Sequence, residues 1–211
     1  MYLPAHFEES RVEVLHALMG EHPFATLVTQ GGEGLTANHL PLHLEPEAGP
    51  FGVLQGHVAR ANPLWRESAE TDVLVVFHGP QAYVTPSWYE TKREHGKAVP
   101  TWNYVVVHAH GRLRAIDDAD WLLGNLEALV AHHEANFAEP WQIGDAPADY
   151  IDKMLAAIVG IEIELTALKG KWKVSQNQPP ANRAGVIAGL RSLDTDAAAA
   201  MAGLVAGTLP P

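Results

Sequence analysis

Apolar residues recur along this chain in two rhythms. Over Glu8 to Met19, the residues Val12, Leu15, Leu18 and Met19 fall on one helical face, and Gly20 with Pro23 closes the run. From Phe24 the period shortens to two. FATLVTQ, LTANHLPLHLE and FGVLQGHVA read as strands of an antiparallel meander, with GGEG and EPEAGP as turns. DVLVVFHG, AYVTPSWY, TWNYVVVHAHGRLRAI and IVGIEIELTALK read as four more strands. In the last of these Ile161, Ile163 and Leu165 alternate with Glu162 and Glu164. Strands spaced so evenly predict a closed or half-closed barrel, mostly β with some α.

Two helices interrupt the strands. The first starts at a cap on Asp117 or Asp118 and carries Trp121, Leu122, Leu126, Leu129, Val130 and His133 along one side. The second opens with Asp145, Pro147 and Asp149 and runs through Ile151, Met154, Leu155 and Ile158. Both are expected to pack on the barrel as peripheral helices. Asn182 to Gly207 is helix-prone, and DAAAAMAGLVAG is too uniform to point to chemistry. With no repeat and no Gly/Ser/Pro-rich linker, the expected organisation is one domain over residues 1–190 and a tail helix over 191–211.

Composition narrows the function. At 211 residues and 47% hydrophobic, the chain can bury a core, and wholesale disorder is excluded. Cys 0 removes disulfides, thiolate nucleophiles, iron–sulfur clusters and Cys-type zinc sites, so redox chemistry requires a bound cofactor. The start, MYLPAHFEES, carries neither a basic leader nor an apolar core, so secretion is not expected, and no apolar run approaches the roughly 20 residues needed to span a bilayer. A cytoplasmic protein with no membrane partner is expected. The net charge of −11 opposes duplex DNA, which is bound largely through Lys and Arg on phosphates. Protonation of the 12 His would offset that charge, so the surface field depends on mildly acidic pH.

Several catalytic classes lack support. There is no G-x-S-x-G, no G-x-x-x-x-G-K-[ST] and no strand-to-helix G-x-G-x-x-G, which disfavours serine hydrolases, nucleoside triphosphatases and Rossmann cofactors. His108 and His110 in HAH share one strand face, as do His39 and His43. No third ligand is near in sequence, so no metal site is expected. His132, His133 and Glu134 lack the spacing of a helical zinc motif. A haem or metal barrel using His57, His108 and His110 is the last-ranked alternative.

Four segments carry more chemistry than strand alternation needs: ANHLP (Ala37 to Pro41), GHVARANP (Gly56 to Pro63), VPTWNY (Val99 to Tyr104) and KGKWKVSQN (Lys169 to Asn177). Arg60, Lys171, Lys173 and Ser175 offer donors to a phosphate. Asn38, Asn62, Asn103 and Gln176 could fix the polar edge of a heterocycle, and Trp102 and Trp172 could pack on its faces. Taken singly each has a structural reading: Asn62-Pro63 is a turn, Trp102 is core, and Lys171 with Lys173 is a solvated strand face.

Together these strings resemble the PaiB-type FMN-binding proteins, which are described as negative transcriptional regulators. The resemblance runs from MYLPAHF through ANHLPL, LQGHVARANP, FHGPQAYVTPSWY, VPTWNY, AIVGIEIEL and GKWKVSQN to about Leu190. It implies a split β-barrel of the flavin-reductase and pyridoxamine-phosphate-oxidase type, a homodimer with FMN at the interface, and repression linked to protease production and sporulation. It also implies that Asn38, His39 and Leu40 lie along the isoalloxazine ring, and that Arg60, Ala61 and Asn62 lie near the ribityl phosphate. Thr101, Trp102 and Asn103 would line the same pocket, while Lys171, Ser175 and Gln176 would approach from the partner subunit. Catalytic residues are left unassigned. The resulting alternatives are a flavin-dependent oxidoreductase, and a regulator acting through a protein or DNA partner without turnover; no recognition helix supports direct DNA binding.

Overall fold

A computed structural model describes residues 1–32 and 34–209. In chain order the elements are β1 (Glu8–Glu9), α1 (Val12–Glu21), β2 (Phe24–Gly31), β3 (Gly34–Pro41), β4 (His43–Glu45), β5 (Val53–Ala59), α2 (Leu64–Glu67), β6 (Asp72–Val84), α3 (Glu90–His95), β7 (Thr101–Ile116), α4 (Ala119–Glu134), α5 (Ala148–Ala156), β8 (Ile158–Lys173), α6 (Pro180–Arg191) and α7 (Asp196–Ala206). The strands form one antiparallel sheet in the order β3-β2-β6-β7-β8-β5-β4, with β1 paired to β8. The chain forms two compact units. The first comprises Met1–Leu15, His78–Val107 and Lys169–Pro211; the second comprises His16–Phe77 and His108–Leu168.

In the second unit, β2 and β3 pair from Phe24↔Pro41 to Gly31↔Gly34; Glu33 of the GGEG turn lies outside the described residues. β5 pairs with β8 from Val53↔Glu164 to Ala59↔Ile158. The expected alternation holds: Leu54, Ile161, Ile163 and Leu165 are sealed from solvent, and Glu164 is exposed. The helix expected after residue 117 is α4, whose N-cap Asp118 accepts from the Trp121 N–H at 2.8 Å. Of its expected side, Leu122 and Leu129 are buried and His133 is exposed, while Asn125 joins the buried stripe because i, i+3 and i+7 bring it inward. Trp121 covers Gly160, where an added Cβ would meet the indole at 2.4 Å.

In the first unit, α6 and α7 pack against each other, with Val186, Leu190, Met201 and Val205 fully buried. The short 3-10 turn Pro86–Trp88 lays Trp88 against α6 where Gly185 and Gly189 leave room; a Cβ on Gly189 would sit 2.2 Å from the indole. AYVTPSWY is therefore not a separate strand: its first residues end β6, and the rest turns to support α6. β6 runs through Pro80 without losing a ladder bond to β2, which pairs only with Leu74–Val76. Pro210 and Pro211, the end of the expected tail, lie outside the described residues.

Candidate functional site

The twelve expected site residues fall into two groups, one in each unit. In the second unit, β3 carries Asn38, His39 and Leu40, and the turn after β5 carries Arg60, Ala61 and Asn62. The Asn62 N–H bonds the Ala59 carbonyl at 2.8 Å, and its side-chain oxygen accepts the Leu64 N–H at 3.0 Å, which starts α2. The turn thus aims the Asn62 amide at β3, where Nδ2 donates to Asn38 Oδ1 at 2.9 Å. This pairing fixes the Asn38 amide and leaves its own N–H2 without a partner among the described residues. His39 Nδ1 is 3.1 Å from Thr26 Oγ1, with its ring stacked on Phe24 at 6.5 Å between centroids; Leu40 is core and Ala61 is exposed.

Arg60 is tied down. Nη1 and Nη2 donate to Asp117 at 2.8 and 2.6 Å, Nε donates to the Ala156 carbonyl at 2.8 Å, and Nη2 also reaches the Ile158 carbonyl at 3.0 Å. The hydrogen bonds from Arg60 hold the Asp117 carboxyl below the usual carboxylate range, and Asp117 in turn raises the guanidinium. A phosphate at Arg60 would have to compete with this bidentate partner.

In the first unit, β7 opens with Thr101, Trp102 and Asn103, and β8 ends with Lys171, Trp172 and Lys173. Thr101, Asn103, Lys173 and Ser175 line one cavity of about 260 Å³, closed by Lys97 before β7 and Asn182 of α6. Lys173 Nζ donates to Thr101 Oγ1 at 2.5 Å and to the Trp102 carbonyl. Asn103 and Ser175 are buried and exchange hydrogen bonds at 2.9 and 3.2 Å. Ser175 has φ +63°, a left-handed backbone that is strained for a residue other than Gly, Asn or Asp. Its hydroxyl is paired with an amide rather than an imidazole, so it is not an activated nucleophile.

Three expected residues of this unit do not line that cavity. Lys171 donates to the Tyr2 carbonyl at 3.1 Å and lies over the Tyr2 and Tyr104 rings. Gln176 folds onto its own turn, accepting the Val174 N–H at 2.8 Å and donating to the Trp172 carbonyl. Trp102 is half-exposed, edge-on to Tyr83, beside a separate cavity of about 260 Å³ with His78 and Tyr104. Thr91, Lys97, Gln178 and Asn182 were missed by sequence reasoning. The available signal was Asn182, a polar residue on an apolar helix just after Pro179-Pro180; it accepts the Thr91 N–H at 3.1 Å and donates to Gln178 at 3.1 Å.

Burial pushes the His57 imidazole below its usual value. Among the described residues, no three His, Asp or Glu side chains are placed to hold a metal ion.

A family model described as "Putative FMN-binding domain" matches residues 1–167. An uncharacterized protein of Emericella nidulans is 35% identical, covering 97% of this chain and 96% of its own length. The "Protease synthase and sporulation protein PAI 2" of Bacillus subtilis is 33% identical, covering 97% of this chain and 96% of its own. Among solved structures, the flavocytochrome Anf3 from Azotobacter vinelandii superposes with a TM-score of 0.59 at 14% identity, over 79% of this chain and 69% of that one. The FAD and heme binding protein from Mycobacterium smegmatis gives 0.58 at 17% identity, over 79% and 73%. The shared fold is the split β-barrel.

Proposed function

We propose a function from one premise: this chain belongs to the FMN-binding domain family, with FMN as its cofactor. Our reading is a flavin-dependent redox protein that acts as a homodimer. The donor set fits the cofactor. Asn38, fixed by Asn62, offers an amide to a heterocycle edge, and the cavity of Thr101, Asn103 and Ser175 offers hydroxyls and amides with a lysine beside them. FMN, when bound, supplies reversible hydride and electron acceptance, so no side chain needs to be a nucleophile. The observation that carries this reading is the Asn38–Asn62 pair, which joins two of the four polar strings into one preset edge.

In this reading Asn38, His39 and Leu40 border the flavin ring. Arg60 acts by position: its bonds to Asp117 and two carbonyls hold the turn that presents Ala61 and Asn62 to the ribityl side. Thr101, Trp102 and Asn103 belong with Lys171, Ser175 and Gln176, since Asn103 and Ser175 are bonded to each other, and in this reading the six are contributed together across the dimer interface. A cytoplasmic location accords with the absence of cysteine. No helix among the described residues is long and apolar enough to cross a membrane.

A second reading, a regulator whose partner responds to the flavin, is favoured by the 33% identity to a protein named for protease synthesis and sporulation. Steady-state oxidation of NADH and NADPH by the FMN-loaded protein separates the two. Turnover supports the redox reading. Reducible bound FMN without turnover on any donor or acceptor rejects it and leaves the regulator. Sedimentation equilibrium tests the dimer, and a monomer with full FMN affinity would refute it. Unchanged DNA mobility at low salt would dismiss direct DNA binding, which the charge of −11 already opposes.

A further inference from the structure

The cavity at the ends of β7 and β8 has a lining at odds with the rest of the protein. The chain carries 25 Asp and Glu against 14 Lys and Arg, yet none of the described residues lining this cavity is acidic and two, Lys97 and Lys173, are cationic. Lys173 is half-buried and has no carboxylate partner among the described residues. Its ammonium bonds only a hydroxyl and a carbonyl, leaving one of three donors unspent. The neighbouring polar groups are held in place: Ser175 and Asn103 are bonded to each other, and Asn182 is bonded to Thr91 and Gln178. A half-desolvated cation without a counter-charge, set among fixed neutral donors, is incomplete until an anion arrives.

We propose that this cavity is a phosphate-binding site, in which Lys173 provides the charge, Lys97 adds to it from the loop before β7, and Thr101 orients the ammonium. The phosphate has two sources, the terminal phosphate of FMN or a separate phosphate-bearing ligand. The first deepens the flavin reading and rests on it; the second does not. Burial and the charge of Lys171 both lower the Lys173 pKa, and an anion reverses that cost. The titratable groups to consider around it are Lys171 on its own strand, Lys97 on the loop, and Tyr89, whose phenol burial pushes up. Phosphate affinity therefore falls as pH rises through the lowered Lys173 value.

The test titrates FMN, riboflavin and inorganic phosphate against the full-length protein and its Lys173→Met, Lys173→Arg and Lys97→Ala variants. Binding is read by flavin fluorescence and by thermal shift. Loss of one charge-assisted contact predicts about tenfold or more weaker FMN binding by Lys173→Met, with riboflavin within about twofold of wild type. Partial recovery is expected in Lys173→Arg. That pattern assigns the cofactor's own phosphate. Unchanged flavin binding with loss of the thermal shift from inorganic phosphate assigns a separate ligand. If the wild type binds neither flavin yet retains Lys173-dependent phosphate binding, the flavin reading fails and the site stands. Equal binding of all three probes by wild type and Lys173→Met overturns the proposal. Lys97→Ala changes an exposed loop residue, so it keeps the test valid if Lys173→Met fails to fold: a smaller loss of phosphate affinity supports the site, and none overturns it.

Discussion

Arg60 and Lys173 stand at strand ends, each partly withdrawn from water, and their charges are met in opposite ways. Arg60 has a bidentate carboxylate and two carbonyls, so its charge is spent on joining the end of β5 to the starts of α4 and β8. Lys173 has a hydroxyl and a carbonyl, and no charge opposes it among the described residues. Both looked alike in sequence, as basic residues inside polar strings. The difference is one aspartate: Asp117, remote in sequence, turns a candidate phosphate ligand into a clamp, whereas the cavity around Lys173 has no acid among the described residues.

The largest expected effect on the clamp side comes from its packing. Gly160→Leu drives a side chain into Trp121 two residues from the Ile158 carbonyl, and should cost about 1–3 kcal/mol or more in urea unfolding. An unchanged midpoint would show that the Trp121 contact is slack. Removing the clamp itself with Asp117→Asn should lower stability at neutral pH. The folded carboxyl titrates below its unfolded value, so its stabilising contribution is present above about pH 4 and is lost as pH falls through the depressed value. The variant should therefore show a flatter acid limb, while Lys173→Met should leave that limb in place.

His57 adds a second acid-side slope. Its folded value is depressed by burial, so the unfolded chain takes up the proton first and stability declines as pH falls below about 6.5. His57→Gln should remove that decline; its persistence would place it on other histidines. In α4, Gly124 has open space around its Cβ direction, so Gly124→Ala should stabilise by about 0.5–1 kcal/mol. The smallest effect belongs to the exposed Lys153–Asp149 pair of α5, where Lys153→Ala should cost about 0.3–0.5 kcal/mol.

Much of the fold was legible because its strands are amphipathic with period two. TWNYVVVHAHGRLRAI coincides with β7, and Ile161, Ile163 and Leu165 point to the core as their alternation requires. The join across Gly79-Pro80 was not legible, since a proline tolerated beyond a short ladder looks like one that ends a strand. In the site, the strings around Asn38, Asn62, Asn103 and Ser175 marked residues that the fold brings into pairs. The roles of Arg60 and Asn182 were hidden, because each depends on a partner far along the chain, Asp117 in one case and Thr91 in the other. The helix-prone stretch from Asn182 to Gly207, from which no chemistry was expected, supplies Asn182 to the cavity wall and the two glycines that seat Trp88.

The proposed role of the Asn38–Asn62 pair is to present a preset amide edge to FMN. Titration of the purified protein with FMN, followed by the visible flavin absorbance and repeated on Asn38→Ala, tests it most directly. The wild type should bind FMN stoichiometrically and the variant clearly more weakly. A wild type that leaves the flavin spectrum unchanged at every concentration would contradict it.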